Sequence, residues 1–160
     1  MTLTSSSGNT PDTPDREIIS TRVFDASPEQ LFQAWTDPAI LALWWGPKDF
    51  KNTFHVFEPR PGGDWNFVMH GPDGTDYKNE SVFREIEKPS RIVLDHISSP
   101  RFRVVATFDA ETVKTKLTFR MIFETAEMRD RVKGIVVEAN EQNFDRLAEQ
   151  LRLLRIKSGK

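Results

Sequence analysis

The stretch VEANEQNFDRLAEQLRLL, Val137 to Leu154, decides the fold of this chain. Six of its residues recur at alternating steps of three and four, namely Val137, Asn140, Phe144, Leu147, Leu151 and Leu154. That spacing places them on one face of an α-helix. A coiled coil would show the same stripe, but the run spans fewer than three heptads and Asn140 interrupts it. The pattern therefore predicts a long amphipathic C-terminal helix, with helical character from Ala126 onward and a kink, or the true start of the long segment, at Gly134.

The residues that precede this helix alternate between apolar and polar, which is typical of β-strands with one buried face. Turn-forming groups rich in Gly, Pro, Asp and Ser separate the runs, as at Pro61-Gly62-Gly63 and at Gly71 to Gly74. The alternation is clearest in three sets: Trp65, Phe67 and Met69; Phe102, Val104, Ala106 and Phe108; and Leu117, Phe119, Met121 and Phe123. We predict an antiparallel meander of about six strands whose apolar face receives the helix.

The N-terminal part of the chain predicts one strand followed by two short helices. The strand covers Glu17 to Phe24, which is rich in β-branched residues. Ser27 can cap the first helix, and Pro28 suits its first turn. Its predicted buried stripe consists of Leu31, Phe32 and Trp35. Asp37-Pro38 then interrupts, and a second short helix runs through Ala39 to Trp44.

Together these elements define an α+β helix-grip fold, in which a curved antiparallel sheet of about six to seven strands wraps around the long C-terminal helix. A strongly bent sheet around one helix cannot fill the space between them as evenly as two flat layers would. We therefore expect a cavity between sheet and helix.

Composition limits the number of domains and the possible partners. The chain has 160 residues, no cysteine and a net charge of -2, with its 22 basic and 24 acidic residues interspersed. This predicts one domain over residues 16–160, no nucleic-acid partner, and no disulfide or thiolate chemistry. Residues 1–15 have little to bury and are expected to be a disordered tail. No secretory signal or membrane span is visible, so the expected location is the cytoplasm.

Four strings in this order resemble a known superfamily. They are RVFDASPEQLFQAWTDP at 22–38, LWWGP at 43–47, PGGDWNFVMHGPDG at 61–74 and KLTFRMIF at 116–123. Together they resemble the START-like, or SRPBCC, superfamily, in the branch named after the activator of the heat-shock-protein-ninety ATPase. The resemblance runs from about Glu17 to Leu154 and implies the helix-grip fold. It also implies one of several uses of the cavity, as a lipid carrier, a hormone or allergen ligand binder, a polyketide cyclase or a cochaperone domain.

The sequence departs from this branch at two places. Ala139-Asn140 stands where many relatives have Gly-Trp, and His96 stands where many have an aromatic residue. Both changes make the expected cavity more polar.

Three histidines are the candidates for acid–base chemistry. His55, His70 and His96 lie on different predicted strands without a metal-ligand spacing, so we expect no metal and no cofactor. His70 is out of phase with the apolar face and should point to solvent. His96 is in phase with it, and it would then need a hydrogen-bond partner from Tyr77 or Asn79. A hydrogen-bonded structural histidine and a catalytic one both fit this pattern.

Other polar and aromatic residues give weaker signals. Glu85 is in phase with Tyr77 and Phe83, but an edge position or an ion pair with an arginine such as Arg120 fits it better than an internal acid or base. Trp44 and Trp45 diverge by about 100 degrees on a helix. We expect Trp45 at the cavity mouth and Trp44 against the sheet edge, although two core tryptophans would fit equally. No motif supports a nucleophile or a phosphate-binding loop.

These observations leave three functional hypotheses. The first is a module that binds a small apolar or amphipathic molecule in the cavity. Its predicted ligand-binding residues are Trp45, Trp65, Phe67, Met69, Tyr77, Asn79, Phe83, His96, Val104, Asn140 and Phe144. The second is a cyclase or hydratase acting on a polyketide-like or aromatic substrate, with His96 or Tyr77 moving a proton. The third is a cochaperone-like stimulator of a heat-shock ATPase. A weak homodimer through exposed strand edges is also possible.

Overall fold

A computed structural model describes residues 14–157. The predicted disordered tail, residues 1–15, lies outside the described residues apart from Pro14 and Asp15, which belong to a 3-10 turn over Pro14–Arg16. The elements that follow are β1 (Glu17–Phe24), α1 (Pro28–Thr36), α2 (Pro38–Trp44), β2 (Lys51–Phe57), β3 (Asp64–His70), β4 (Asp76–Glu87), β5 (Arg91–His96), β6 (Phe102–Glu111), β7 (Lys114–Phe123) and α3 (Ala126–Lys157).

The predicted α+β helix-grip fold is confirmed. The seven strands form one antiparallel sheet in the order β1-β7-β6-β5-β4-β3-β2. The strands β2 to β7 form a meander, and β1 pairs with β7 as an additional edge strand. The backbone of α3 runs close to β1, β7, α1 and α2 on the concave side. The strands β3, β4 and β5 keep their backbones farther from this helix.

Local sequence fixes the helix starts as predicted. Ser27 accepts a hydrogen bond from the Gln30 amide at 3.1 Å, and the Gln30 side chain accepts one from the Ser27 amide at 2.9 Å. This reciprocal capping box satisfies two amides that the first turn leaves without helical partners. Asp37 ends α1 and caps α2, where its side chain accepts from the Ala39 amide at 3.0 Å. The two short helices are therefore separate because one residue terminates the first and starts the second.

The long helix differs from its prediction in two details. It begins at Ala126 and continues through Gly134, so Gly134 does not mark its start. Val137 is exposed, whereas Val136 packs against the core, so the buried stripe shifts by one residue in the first half of α3. From Asn140 onward the stripe is buried as expected, at Asn140, Phe144, Leu147 and Leu151.

The turn between β2 and β3 places two adjacent glycines under different constraints. Gly62 has φ +84 and open space where a side chain would be. Gly63 is buried, and a Cβ there would collide with the Glu58 carbonyl oxygen. Close backbone approach, rather than a positive φ, therefore requires glycine at position 63.

Candidate functional site

Several predicted site residues share one row across the concave face. The strand register pairs Trp65 with Ser81, Ser81 with His96, and His96 with Phe102. Met69 pairs with Tyr77, and Phe67 with Asn79, in the rows nearer the turn that joins β3 to β4. The sheet therefore brings His96 close to Asn79.

His96 is only 7% exposed, and both of its ring nitrogens have partners. Nδ1 lies 2.8 Å from the Pro100 carbonyl oxygen, and Nε2 lies 2.7 Å from Oδ1 of Asn79. The Asn79 amide nitrogen donates to the Tyr77 carbonyl oxygen at 3.0 Å, which turns Oδ1 toward the imidazole. The predicted partnership with Asn79 is present, whereas Tyr77 contributes its backbone rather than its hydroxyl.

Burial lowers the pKa of His96 below its ordinary value of 6.5, and the hydrogen bond with the Pro100 carbonyl offsets only part of that effect. The neutral ring carries one N–H, although two oxygens face it. Phe102 stacks on the ring with centroids 4.6 Å apart and planes 12° apart. This packing fixes the imidazole plane against the sheet.

Asn140, the other predicted polar ligand contact, bonds to the sheet. Its amide nitrogen donates to the Ser20 hydroxyl oxygen at 3.1 Å and lies 3.7 Å from the Met121 sulfur. The hydrogen bonds of this buried amide therefore tie α3 to β1 and β7.

The apolar members of the predicted set divide into two groups. Trp65, Phe67, Phe83, Val104 and Phe144 are fully buried and belong to the packed core. Met69 is partly buried at the edge of the core, and Tyr77 is 46% exposed with its ring 6.0 Å from that of Phe50. Only the second group borders solvent.

The adjacent tryptophans diverge as their helical positions require. The ring of Trp45 faces the sheet, 5.1 Å from Trp65 and 6.3 Å from Phe119. Trp44 is fully buried against α1, where its Nε1 donates to the Ala34 carbonyl oxygen at 3.0 Å. Its burial fits the alternative of a core tryptophan, for which α1 offers both an aromatic partner, Trp35, and an acceptor.

The loop from Trp45 to Phe50 is held by polar residues of α3 that the sequence analysis did not single out. Asn143 accepts from the Gly46 amide at 3.2 Å, and Gln142 accepts from the Lys48 amide at 3.0 Å. Arg146 donates to five carbonyl oxygens at 2.8–3.2 Å, those of Leu43, Trp45, Gly46, Pro47 and Phe50. The only sequence signal was a run of polar residues beside the apolar stripe of the helix.

Glu85 and His70 both lie on solvent-facing parts of the sheet, and Glu85 has a different arginine partner from the one suggested. Glu85 forms its ion pair with Arg91 at 3.0 Å, while Arg120 pairs with Glu17 at 2.8 Å. A β-bulge between Phe83 and Glu85 breaks the alternation and turns Glu85 to the outer face.

His70 bridges Thr53 and Asp76, with 2.8 Å contacts from Nε2 and Nδ1. These three side chains are open to solvent, so we interpret their chain of hydrogen bonds as a tie between strand ends.

Two concavities are present at the surface of the described residues. A groove of about 390 Å³ lies on the outer face across β4 to β7, and a smaller one of about 240 Å³ lies between the end of β1 and the second half of α3. Within residues 14–157 no three His, Cys, Asp or Glu side chains are grouped to hold a metal ion. Over the same residues no helix combines the length and apolarity needed to cross a bilayer.

The fold and the site together define an α+β protein in which the strands β4 and β5 bring a buried histidine and a partly buried asparagine together. The chain belongs to the family described as activator of Hsp90 ATPase homolog 1-like protein, whose model matches residues 25–152. No curated protein sequence is significantly similar to it.

Solved structures from several bacteria share this fold. A protein from Nitrosomonas europaea is similar at 20% identity and a TM-score of 0.83, over 89% of this chain and 98% of that one. A protein from Rhodobacter sphaeroides is similar at 27% identity and a TM-score of 0.81, over 89% and 96%. The AHSA1 protein from Silicibacter pomeroyi is similar at 22% identity and a TM-score of 0.70, over 86% and 98%.

Proposed function

We propose that this protein binds a small apolar or amphipathic molecule between the first half of α3 and the ends of β3, β4, β5 and β6. The observation that carries the proposal is the greater distance of these strands from the helix backbone, together with apolar side chains that pack against the core and are only partly buried. These side chains are Met69, Phe102, Met128, Val132 and Val136.

Half-buried apolar side chains favour a guest because covering them removes their remaining surface from water. Each Å² of apolar surface covered contributes about 25 cal/mol, so a ligand that covers about 100 Å² gains roughly 2.5 kcal/mol before the costs of binding. Met69 and Met128 are unbranched and can adjust to different shapes. The site therefore suits a class of apolar molecules better than one rigid ligand.

Polar groups in the same rows favour a guest that carries a hydrogen-bonding group. The indole Nε1 of Trp65 is buried and has no acceptor among the described residues. Trp65 shares a cross-strand row with His96, whose Nε2 already faces Asn79. An oxygen atom of a ligand could accept from the indole, and an amphipathic ligand would then bind more tightly than a hydrocarbon.

The hydrogen bonds of His96 support a binding role over a catalytic one. Both ring nitrogens face protein oxygens, and Phe102 covers one face of the ring. A general acid or base needs a nitrogen within reach of the substrate. We therefore assign His96 the role of holding Asn79 and the end of β5 in place.

The test is a titration with N-phenyl-1-naphthylamine, a neutral apolar dye that fluoresces when it leaves water. The wild-type chain should give saturable binding, and Val132→Phe, which fills the proposed space, should weaken it at least tenfold. Ile135→Phe is the matched control on the same helix, because Ile135 is 77% exposed. No saturable binding to the wild type, or equal effects of the two variants, would refute the proposal.

A further inference from the structure

A second feature lies on the side of the sheet opposite α3. Val93 and Val105 form a direct cross-strand pair on this outer face, yet they are only 2% and 4% exposed. They form the floor of the groove of about 390 Å³, together with Ile122. Arginine side chains with long apolar stems stand around them and keep them from water.

The charge of the groove differs in sign from that of the whole chain. Its walls contain five arginines against three carboxylates, a balance of +2, whereas the chain carries -2. The arginines are Arg16, Arg84, Arg91, Arg101 and Arg103, and the carboxylates are Glu85, Asp95 and Glu124. A concave surface with an excess of one charge concentrates ligands of the opposite charge.

Asp95 holds two of the guanidinium groups in fixed positions. It accepts from Arg103 through Nε at 2.7 Å and Nη2 at 3.1 Å, and from Arg84 through Nε at 2.9 Å. Burial raises the pKa of the Asp95 carboxyl, but the hydrogen bonds from Arg103 and Arg84 outweigh it and lower that pKa overall. The carboxylate therefore stays ionised, and one positive charge of the pair is left for a ligand.

This arrangement leaves donors for an incoming anion. The contacts with Asp95 use neither terminal nitrogen of Arg84 and leave Nη1 of Arg103. Guanidinium groups bind carboxylate, sulfonate and phosphate through paired N–H donors, and fixed guanidinium groups lose less entropy when they do so. The floor of Val93 and Val105 would meanwhile contact an apolar body.

We propose that this groove binds a soluble organic anion with an apolar body about the size of a naphthalene ring. The volume of about 390 Å³ lies within the range of about 300–1,000 Å³ that is usual for small-molecule sites. The anionic group contacts Arg84 and Arg103, and the body lies on the valine floor. The groove reaches His96 and Phe102 at the ends of β5 and β6, whereas Met128, Val132 and Val136, which carry the interior site on α3, are not part of its lining.

The experiment is an NMR titration of the full chain with 2-naphthoate, followed through backbone amide signals. Binding should move the signals of Val93, Val105 and Arg103 and leave those of Asn140 and Phe144 in place. The uncharged analogue 2-naphthamide should bind at least tenfold more weakly, since it lacks the charge-assisted hydrogen bonds. Raising the salt concentration from 50 to 500 mM should weaken 2-naphthoate binding severalfold.

Variants decide whether the arginine pair is responsible. The triple variant Arg84→Gln, Asp95→Asn, Arg103→Gln removes the pair and its carboxylate together, so it leaves no isolated charge, and it should weaken binding at least tenfold. Arg152→Gln is the control, because Arg152 is a half-exposed arginine on α3 paired with Glu149. If the triple variant unfolds, Arg103→Lys keeps the charge, loses the planar fork and should still weaken binding.

Three results would overturn the proposal. They are equal binding of 2-naphthoate and 2-naphthamide, equal effects of the groove variants and Arg152→Gln, and signal changes confined to the interior. Binding to anionic phospholipid vesicles without binding to 2-naphthoate would also overturn it. Because the neutral dye reports the interior site, failure of either proposal leaves the other testable.

Discussion

Nη1 of Arg146 donates to the carbonyl oxygen of Gly46 at 2.9 Å and so joins the middle of α3 to the end of α2. The same guanidinium serves four further carbonyl groups, and desolvation by burial lowers its pKa, an effect that Asp49 partly opposes. One side chain thus supplies the hydrogen bonds that water would otherwise give to these carbonyl groups. This stabilises the loop, because buried carbonyl groups without partners are costly.

Replacing Arg146 should therefore destabilise the fold more than replacing a surface arginine. We expect Arg146→Met to lower the free energy of unfolding by about 2–3 kcal/mol, since several carbonyl oxygens lose a charged donor. Arg152→Met, which breaks only an exposed pair with Glu149, should change it by less than about 0.5 kcal/mol. Urea unfolding measures both, and equal effects would show that the five contacts contribute nothing net.

The depressed pKa of His96 predicts acid sensitivity. Because the unfolded chain binds the proton more readily than the folded one, stability should fall as the pH drops through 6.5, the ordinary value for histidine. The wild-type melting temperature should therefore decline between pH 7.5 and 5, and His96→Gln should decline less over this range. Parallel pH profiles of the two proteins would contradict this explanation.

Gly62 and Gly63 offer a matched pair of substitutions in one turn. Gly63→Ala should cost about 3 kcal/mol or more, since its Cβ meets the Glu58 backbone oxygen. Gly62→Ala should cost about 1–2 kcal/mol, because only the positive φ opposes a side chain there. Thermal unfolding of both variants checks the order, and a reversed order would mean that the turn relaxes around the new methyl group.

Asn140 and Ser20 should show coupling in a double-mutant cycle. Asn140→Leu leaves the buried Ser20 hydroxyl without this donor, and we expect a loss of about 1–2 kcal/mol. Adding Ser20→Ala removes the second partner and should recover part of that loss. Strict additivity would indicate that the 3.1 Å contact has no net value.

Dye binding gives a second measurement on the same residue. Because its amide is bonded to Ser20, Asn140→Leu should change the affinity for N-phenyl-1-naphthylamine less than twofold. A larger loss would place Asn140 among the ligand contacts, as its position on the helix stripe suggested.

The elements were predictable because local chemistry specifies them. Ser27, Asp37 and the alternating strands act through neighbours close in sequence, so their pattern can be read directly. The bulge at Glu85 was not predictable, since one extra residue in a strand leaves no mark in the apolar pattern. Because the bulge turns Glu85 to the outer face, its ion-pair partner is Arg91 rather than Arg120.

The site was less predictable than the fold for a related reason. The phase of His96 and its partnership with Asn79 follow from a period of two along paired strands. The loop contacts of Arg146 depend on how α2 and α3 pack together, and the residues close to position 146 in the sequence do not indicate that packing. The outer groove was likewise invisible, because its arginines come from three strands, the loop before β6 and the turn before β1.

All four tryptophans of the chain lie in one contact network, with Trp45 between 5.1 and 5.6 Å from the rings of Trp35, Trp44 and Trp65. Light absorbed by any one indole can pass to its neighbours, so the intrinsic emission of the protein comes from a single place, where α1 and α2 meet the sheet. That emission should change when Trp45 moves, and it should not change when a ligand binds to the outer face of the sheet. The molecule thus carries its own optical reporter for only one of its two faces.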